Sequence, residues 1–212
     1  VQTRRTDSEV EIIARRHEDG ARFTWTLSAA GVTLDYRYGE IAEPLTYCAV
    51  GFDLSDAAVL AKVWRGRGPH RVWANRMQGP QFGRWSDVWN DNVVGRHWDA
   101  PPFKGVFADV DWMRLDLAAG AALLFDPEGA AHIGVLRPRN AEGPRDKNTF
   151  AGPVRAWWAY PEAGGLYLFH KIPAIGTKFA NAERLGPQSV PVRIKGPIAG
   201  RVTFHVRALD ER

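Results

Sequence analysis

Cysteine occurs once in the 212 residues, at Cys48. A lone cysteine excludes an internal disulfide and a cysteine-based zinc site, and reads as a small buried apolar residue. Long apolar runs are missing as well: none approaches the roughly 20 residues that cross a bilayer. No secretory leader opens the chain, and no membrane partner is expected. Helical periodicity is lacking, because no segment carries a 3.6-residue apolar stripe over three turns, so helix should be scarce. The net charge of +4 comes with acidic residues scattered among the basic ones. There is no basic block to neutralise a run of phosphates, so nucleic acid is set aside as a partner. The chain has no G-x-S-x-G, no phosphate loop and no dinucleotide fingerprint, and the glycine-rich GRGPHR lacks the helix that would aim a dipole at phosphate. His132, His170 and His205 stand apart, without a metal-ligand spacing such as H-E-x-x-H. Neither a metal nor a cofactor is expected, and no self-sufficient catalytic set emerges.

What is present is the composition of an ordinary globular domain, 45% hydrophobic and 25% charged, at a length that suits one large β-sandwich. The stretch ARFTWTLSAAGVTLDYRYGE alternates twice. Phe23, Trp25 and Leu27 share one face, then Val32, Leu34, Tyr36 and Tyr38 share one after the Gly31 turn. Such alternation across a short glycine connection marks an antiparallel hairpin with one buried side. Further strands are expected near Ala49–Leu54, through Val63, between Phe103 and Pro138, over GGLYLFHKIP, and at the end, where Val202, Phe204 and Val206 alternate. The fold class is therefore all-β, a large antiparallel two-sheet sandwich with little helix, spanning residues 1–212 as one domain. Val1 is not an initiator methionine and opens a polar, charged run, so the chain reads as a piece of a longer polypeptide.

Residues 66–104 and 138–165 follow neither period, and long ordered loops in compact domains are usually functional or interface-forming. Arginine, tryptophan, glycine and proline crowd GRGPHRVWANRMQGPQFGRW at 66–85. Trp73, Trp85, Trp89 and Trp98 fall in the first of these regions with Arg71, Asn75, Arg76, Asn90, Asn92, His97 and Lys104. Indoles can cover the C–H face of a sugar ring while Asn, Arg and His bond its hydroxyls. The same indoles can instead plug gaps beneath an irregular loop, each N–H bonded to a carbonyl. Asp109 and Asp111 lie two apart in an expected strand, which puts their carboxylates on one face at about 6.5–7 Å. That spacing is within reach of inverting glycosidase geometry, but the solvent face of a strand has the same pattern and is the preferred reading.

VWRGRGPHRVWANR resembles the C-terminal module of the β-galactosidases of glycoside hydrolase family 2, where a tryptophan-bearing strand leads into a Gly-x-Gly-Pro turn. Trp64, Gly66, Gly68, Pro69 and Arg76 match in order, while Arg71 and Val72 stand where the family has Glu and Asn. GGLYLFHKIPAIGTKFANAERLGPQS and GRVTFHVR look like the closing strands of that module. The likeness runs over roughly residues 20–207. The resemblance implies a galactose-mutarotase-like supersandwich, non-catalytic by itself, at the end of a multidomain glycosidase whose catalytic glutamates lie in another domain. Its implied partners are a β-galactoside or polysaccharide fragment and the other domains of the parent enzyme. The compartment stays open, with periplasmic or secreted favoured over cytoplasmic. By position it adds Tyr167, His170 and Lys171 as candidates, Tyr167 replacing a tryptophan. The sugar-contacting or domain-facing set is thus Arg71, Trp73, Asn75, Arg76, Trp85, Trp89, Asn92, Tyr167, His170 and Lys171. Two alternatives remain: a free-standing carbohydrate-binding module, and a mutarotase-like aldose epimerase, which would use a histidine acid and a carboxylate base.

Overall fold

The computed structural model describes residues 1–55, 58–87, 106–129, 131–136, 165–176, 180 and 182–209. The early strands are β1 (Gln2–Arg5), β2 (Glu9–Arg15), β3 (Arg22–Ser28), β4 (Gly31–Tyr38), β5 (Ile41–Leu45) and β6 (Cys48–Phe52). The middle of the chain gives β7 (Val59–Gly68), β8 (Gln81–Asp87), β9 (Val106–Val110), β10 (Trp112–Leu117), β11 (Ala121–Pro127) and β12 (Ala131–Leu136). The last three are β13 (Gly165–Lys171), β14 (Val192–Ile194) and β15 (Ile198–Ala208). Among the described residues helix is confined to short 3-10 stretches, including Ala182–Arg184 and Pro187–Ser189, and no helix is long and apolar enough to cross a membrane.

Two antiparallel sheets face each other, as the alternation predicts. The larger runs β1-β2-β3-β4-β15-β11-β10-β7-β8, the smaller β6-β13-β12-β9, and β14 pairs with β5 beside them. The hairpin of β3 and β4 turns at Gly31, whose φ of 143° and close neighbour, the Phe204 carbonyl oxygen at 2.7 Å from a built Cβ, admit only glycine. Trp64, Phe107, Met113, Phe125, Ile133 and Val202 are almost completely buried between the sheets, with the Trp64 and Phe107 rings 4.4 Å apart. Cys48 is buried, as its solitude suggested.

The small sheet is covered on its other face too. Val106, Ala108 and Phe169 alternate away from the main core and meet Val72, Trp73, Ile172 and Ile175 in a second cluster. The chain at 72–76 is tied there by backbone bonds from Val72 to Val106 (2.7 Å) and from Ala74 to Pro173 (2.9 Å).

Two sequence expectations change. The stretch 66–104 was expected to follow neither period, yet β7 runs on to Gly68 and β8 occupies Gln81–Asp87. The apolar alternation is hidden because glycines occupy the inner face there. Gly66 pairs with Gly83 across the strands, and the Trp85 indole lies over the bare backbone so closely that a Cβ on Gly68 would sit 2.5 Å from its Cδ1. Nor do Asp109 and Asp111 share one strand. β9 ends at Val110, Asp109 has φ 51° at a bulge opposite His132, and Asp111 falls between strands with its N–H on the Arg65 carbonyl (2.8 Å). Their carboxylates pair with Arg67 and Arg65 at the surface, which supports the solvent reading.

The inner face of β7 also holds a residue that the pattern did not flag. Lys62 is completely buried, its ammonium 3.1 Å from Asp87 Oδ2 and 5.8 Å from the centroid of the Phe107 ring.

Candidate functional site

One end of the sandwich gathers chemistry from five strands. Tyr36 stands near the end of β4, Glu128 just after β11, His132 near the start of β12, His170 near the end of β13 and Arg201 near the start of β15. They line a cleft of about 230 Å³. Two local features open it. Gly200 sits opposite Tyr36 in the ladder, and without a Cβ it lets the phenol pass over β15. The hydroxyl then reaches Nε2 of His170 on the facing sheet at 2.8 Å. His170 itself sits where the register with β6 shifts between Phe169 and Lys171, and such bulges re-aim side chains. The Glu128 amide donates to the Arg201 carbonyl at 2.9 Å, joining the two strand ends at the cleft wall.

Burial pushes the His132 imidazole below its ordinary value. Asp109 partly offsets this by favouring the cation, and Arg67 adds to it. His170 is lowered first by burial and then by His132 nearby. The Tyr36 phenol is pushed up by burial. At neutral pH both rings and the phenol are therefore uncharged, and each retains a donor and an acceptor. Arg201 Nε is committed to Asp35 Oδ1 at 2.6 Å. Glu128 brings a carboxyl to the same wall. Such a lining suits a ligand that is itself a dense set of hydroxyls. Among the described residues no group of three or more His, Cys, Asp or Glu could hold a metal ion.

The candidates read from sequence scatter over this frame. Trp73 is 5% exposed in the second cluster, and its backbone exchanges hydrogen bonds with that of exposed Arg76. Asn75 acts as a backbone clip: its Nδ2 donates to the Ile175 carbonyl (2.8 Å) and its Oδ1 accepts the Ile175 N–H (3.0 Å). Arg71 is half-buried beside them. Trp85 packs against the main core and donates its indole N–H to the Gly66 carbonyl at 3.1 Å and the Gln81 carbonyl at 3.3 Å. Trp73 and Trp85 thus belong to different clusters and do not form one platform. Tyr167 leans on Phe169, ring centroids 5.8 Å apart, and fills the space over Gly51. Lys171 is half-buried, with Nζ 3.5 Å from the Val190 carbonyl and its ammonium destabilised by burial. Trp89 and Asn92, with Asn90, His97, Trp98 and Lys104, lie outside the described residues.

Of the described members of the sequence-read set, only His170 lines the cleft. Tyr36, Glu128, His132 and Arg201 were not singled out as site residues because they are far apart in the chain. Tyr36 also reads as core, and Glu128 and Arg201 read as surface charges. The usable signal was a pair of histidines, 132 and 170, in strands that otherwise read as apolar.

No family model matches the chain, and no curated protein matches it. Among solved structures, a crystal structure from Escherichia coli K12 described as a "putative aldose 1-epimerase" aligns at 11% identity with a TM-score of 0.36, covering 98% of this chain and 68% of that one.

Proposed function

We propose that the chain is a carbohydrate-binding β-sandwich that takes one neutral sugar ring in the cleft, as the non-catalytic C-terminal module of a family 2 glycoside hydrolase. The observation that carries the binding is the cleft itself: about 230 Å³, below the ~300–1,000 Å³ usual for drug-sized ligands, walled by uncharged imidazoles and a phenol, with the Arg201 guanidinium and, among the described residues, one carboxyl. That size favours a single ring over an oligosaccharide.

The carboxylates of the described residues support a non-catalytic role. Glycoside hydrolysis by the usual routes needs two that flank the bond. Among the described residues Glu128 is the carboxyl lining this cleft, whereas Asp109 and Asp111 are held by Arg67 and Arg65. The resemblance of the Trp64–Pro69 turn supports membership of the larger enzyme.

Calorimetric titration of the chain with methyl β-galactoside and other neutral methyl glycosides tests the reading. Saturable binding that Glu128→Gln and His132→Asn both weaken is expected. Absence of binding to every neutral glycoside refutes it, and hydrolysis of an aryl galactoside by this chain alone refutes the non-catalytic role.

A second reading, aldose epimerisation, is favoured by His132, His170 and Glu128 sharing one cleft. An imidazole acid and a carboxylate base are what opening a hemiacetal ring requires. Polarimetry of freshly dissolved glucose or galactose decides: faster anomer equilibration that His170→Asn abolishes supports it, and an unchanged rate eliminates it.

A further inference from the structure

The cleft is tied to the Gly-x-Gly-Pro strand by a path that begins at Arg67. Arg67 Nε donates to Asp109 Oδ2. Asp109 occupies the bulge where β9 carries an extra residue against β12, in a left-handed conformation with φ 51°. A left-handed backbone is uncommon for a residue other than glycine, and aspartate is among the residues that tolerate it. In that conformation the Asp109 amide points at His132, and its N–H donates to Nδ1 at 3.4 Å.

A ring nitrogen that accepts a hydrogen bond carries no proton, so in the neutral imidazole the proton resides on Nε2. Asp109 does not line the cleft, while His132 does. Nε2 is the ring nitrogen that Asp109 leaves for the cleft.

We infer that Asp109, pinned by Arg67, is a positioning residue that fixes His132 as an Nε2–H donor toward the cleft, ready for a neutral hydroxyl or ring oxygen. The inference rests on the sugar-binding reading for its ligand but not for its geometry. It gives the Arg67–Asp109 pair a task apart from surface stabilisation, and it joins the Trp64–Pro69 turn to the cleft. His170 complements the arrangement. Its Nε2 is engaged by the Tyr36 hydroxyl, so Nδ1 is the nitrogen that it has to offer.

The test reads the tautomer directly. Long-range ¹H–¹⁵N correlation spectra of the histidine rings at neutral pH, taken without sugar, should show His132 as the Nε2–H form. A hydrogen bond of ordinary net strength biases such an equilibrium about two- to tenfold. Arg67→Gln and Asp109→Ala, which removes the pinned carboxylate and disfavours the left-handed backbone, should each release that bias and move His132 toward the mixture of a free imidazole, with Arg67→Lys in between. Arg67 is partly exposed, so its substitution leaves the fold testable if the alanine variant unfolds.

A wild-type Nδ1–H or cationic His132, or a ratio unchanged in Arg67→Gln, overturns the inference. Titration of the same samples with methyl β-galactoside separates the two ideas. A tautomer that behaves as described without any sugar binding sinks the sugar reading alone. In a binding-competent chain, Arg67→Gln should weaken the glycoside by a similar two- to tenfold.

Discussion

Replacing Gly200 by alanine tests how tightly the Tyr36 phenol is held across the two sheets. A Cβ there would fall inside any permitted contact with the Tyr36 hydroxyl oxygen and 2.6 Å from its Cζ. The ring has little room to yield: it is 4% exposed, with Tyr38 at 5.7 Å and His170 at 5.5 Å between ring centroids. Overfilling such a site costs about 1–3 kcal/mol. A shift of about 1 Å also ends the hydrogen bond to His170, a net loss of about 0.5–1.5 kcal/mol. Gly200→Ala should therefore destabilise by about 2–4 kcal/mol, read as a lower urea midpoint with an unchanged slope. Tyr36→Phe keeps the ring and loses only the hydroxyl, about 1 kcal/mol. Because that deletion also removes the worst overlap with a new Cβ, the double variant should be more stable than the sum of the two losses, by about 1 kcal/mol. A Gly200→Ala protein within about 0.5 kcal/mol of wild type, or strict additivity, would refute the bridge.

Stability should fall as the pH drops below about 6.5, the ordinary imidazole value, because the unfolded chain then binds protons that His132 and His170 resist in the fold. Above that pH the rings are neutral in both states and the stabilisation is complete. Asp109 moderates the effect at His132 and Arg67 strengthens it. His132→Asn and His170→Asn should each flatten urea midpoints measured between pH 7.5 and pH 5.5, and equal slopes in all three proteins would contradict the assignment. At the buried ammonium, Asp87→Asn should cost about 2–3 kcal/mol, less than the ~3–5 of a fully enclosed pair because Asp87 is partly exposed, whereas Lys62→Met should be near neutral in the same unfolding assay. Gly68→Ala should evict the Trp85 indole, and loss of its exchange-protected N–H resonance would register the break with the Gly66 carbonyl.

Where side chains of one kind repeat along a strand, the sequence was a sound guide. Phe23, Trp25, Leu34 and Tyr36 identified β3 and β4, and Val202 and Phe204 identified β15, because burial on one face leaves a period of two. β8 escaped notice for the opposite reason. Its inner face and that of β7 carry Gly68 and Gly83 beneath the Trp85 indole and Gly66 against Val110, so there was no apolar row to count. The cleft was hardly visible at all. Its members come from five strands that only the ladder pairings bring together, Tyr36 opposite Gly200 being one such pairing. Trp73 and Asn75 look like ligand residues in sequence, yet their indole and amide are used on the chain's own second cluster and backbone. A loop residue's polarity says that it needs a partner, not which one it finds.

The placement of β15 bears on how the molecule is assembled. It lies between β4 and β11, pairing with both along most of its length, so the latest of these strands in chain order joins a four-stranded block to another block of four. Until it inserts, both blocks keep a raw edge, and closure must await contacts that span more than 160 positions, such as Thr33 with Thr203. Topology of this kind slows folding. Removing the closing strand should yield two sticky half-sheets instead of a slightly smaller protein.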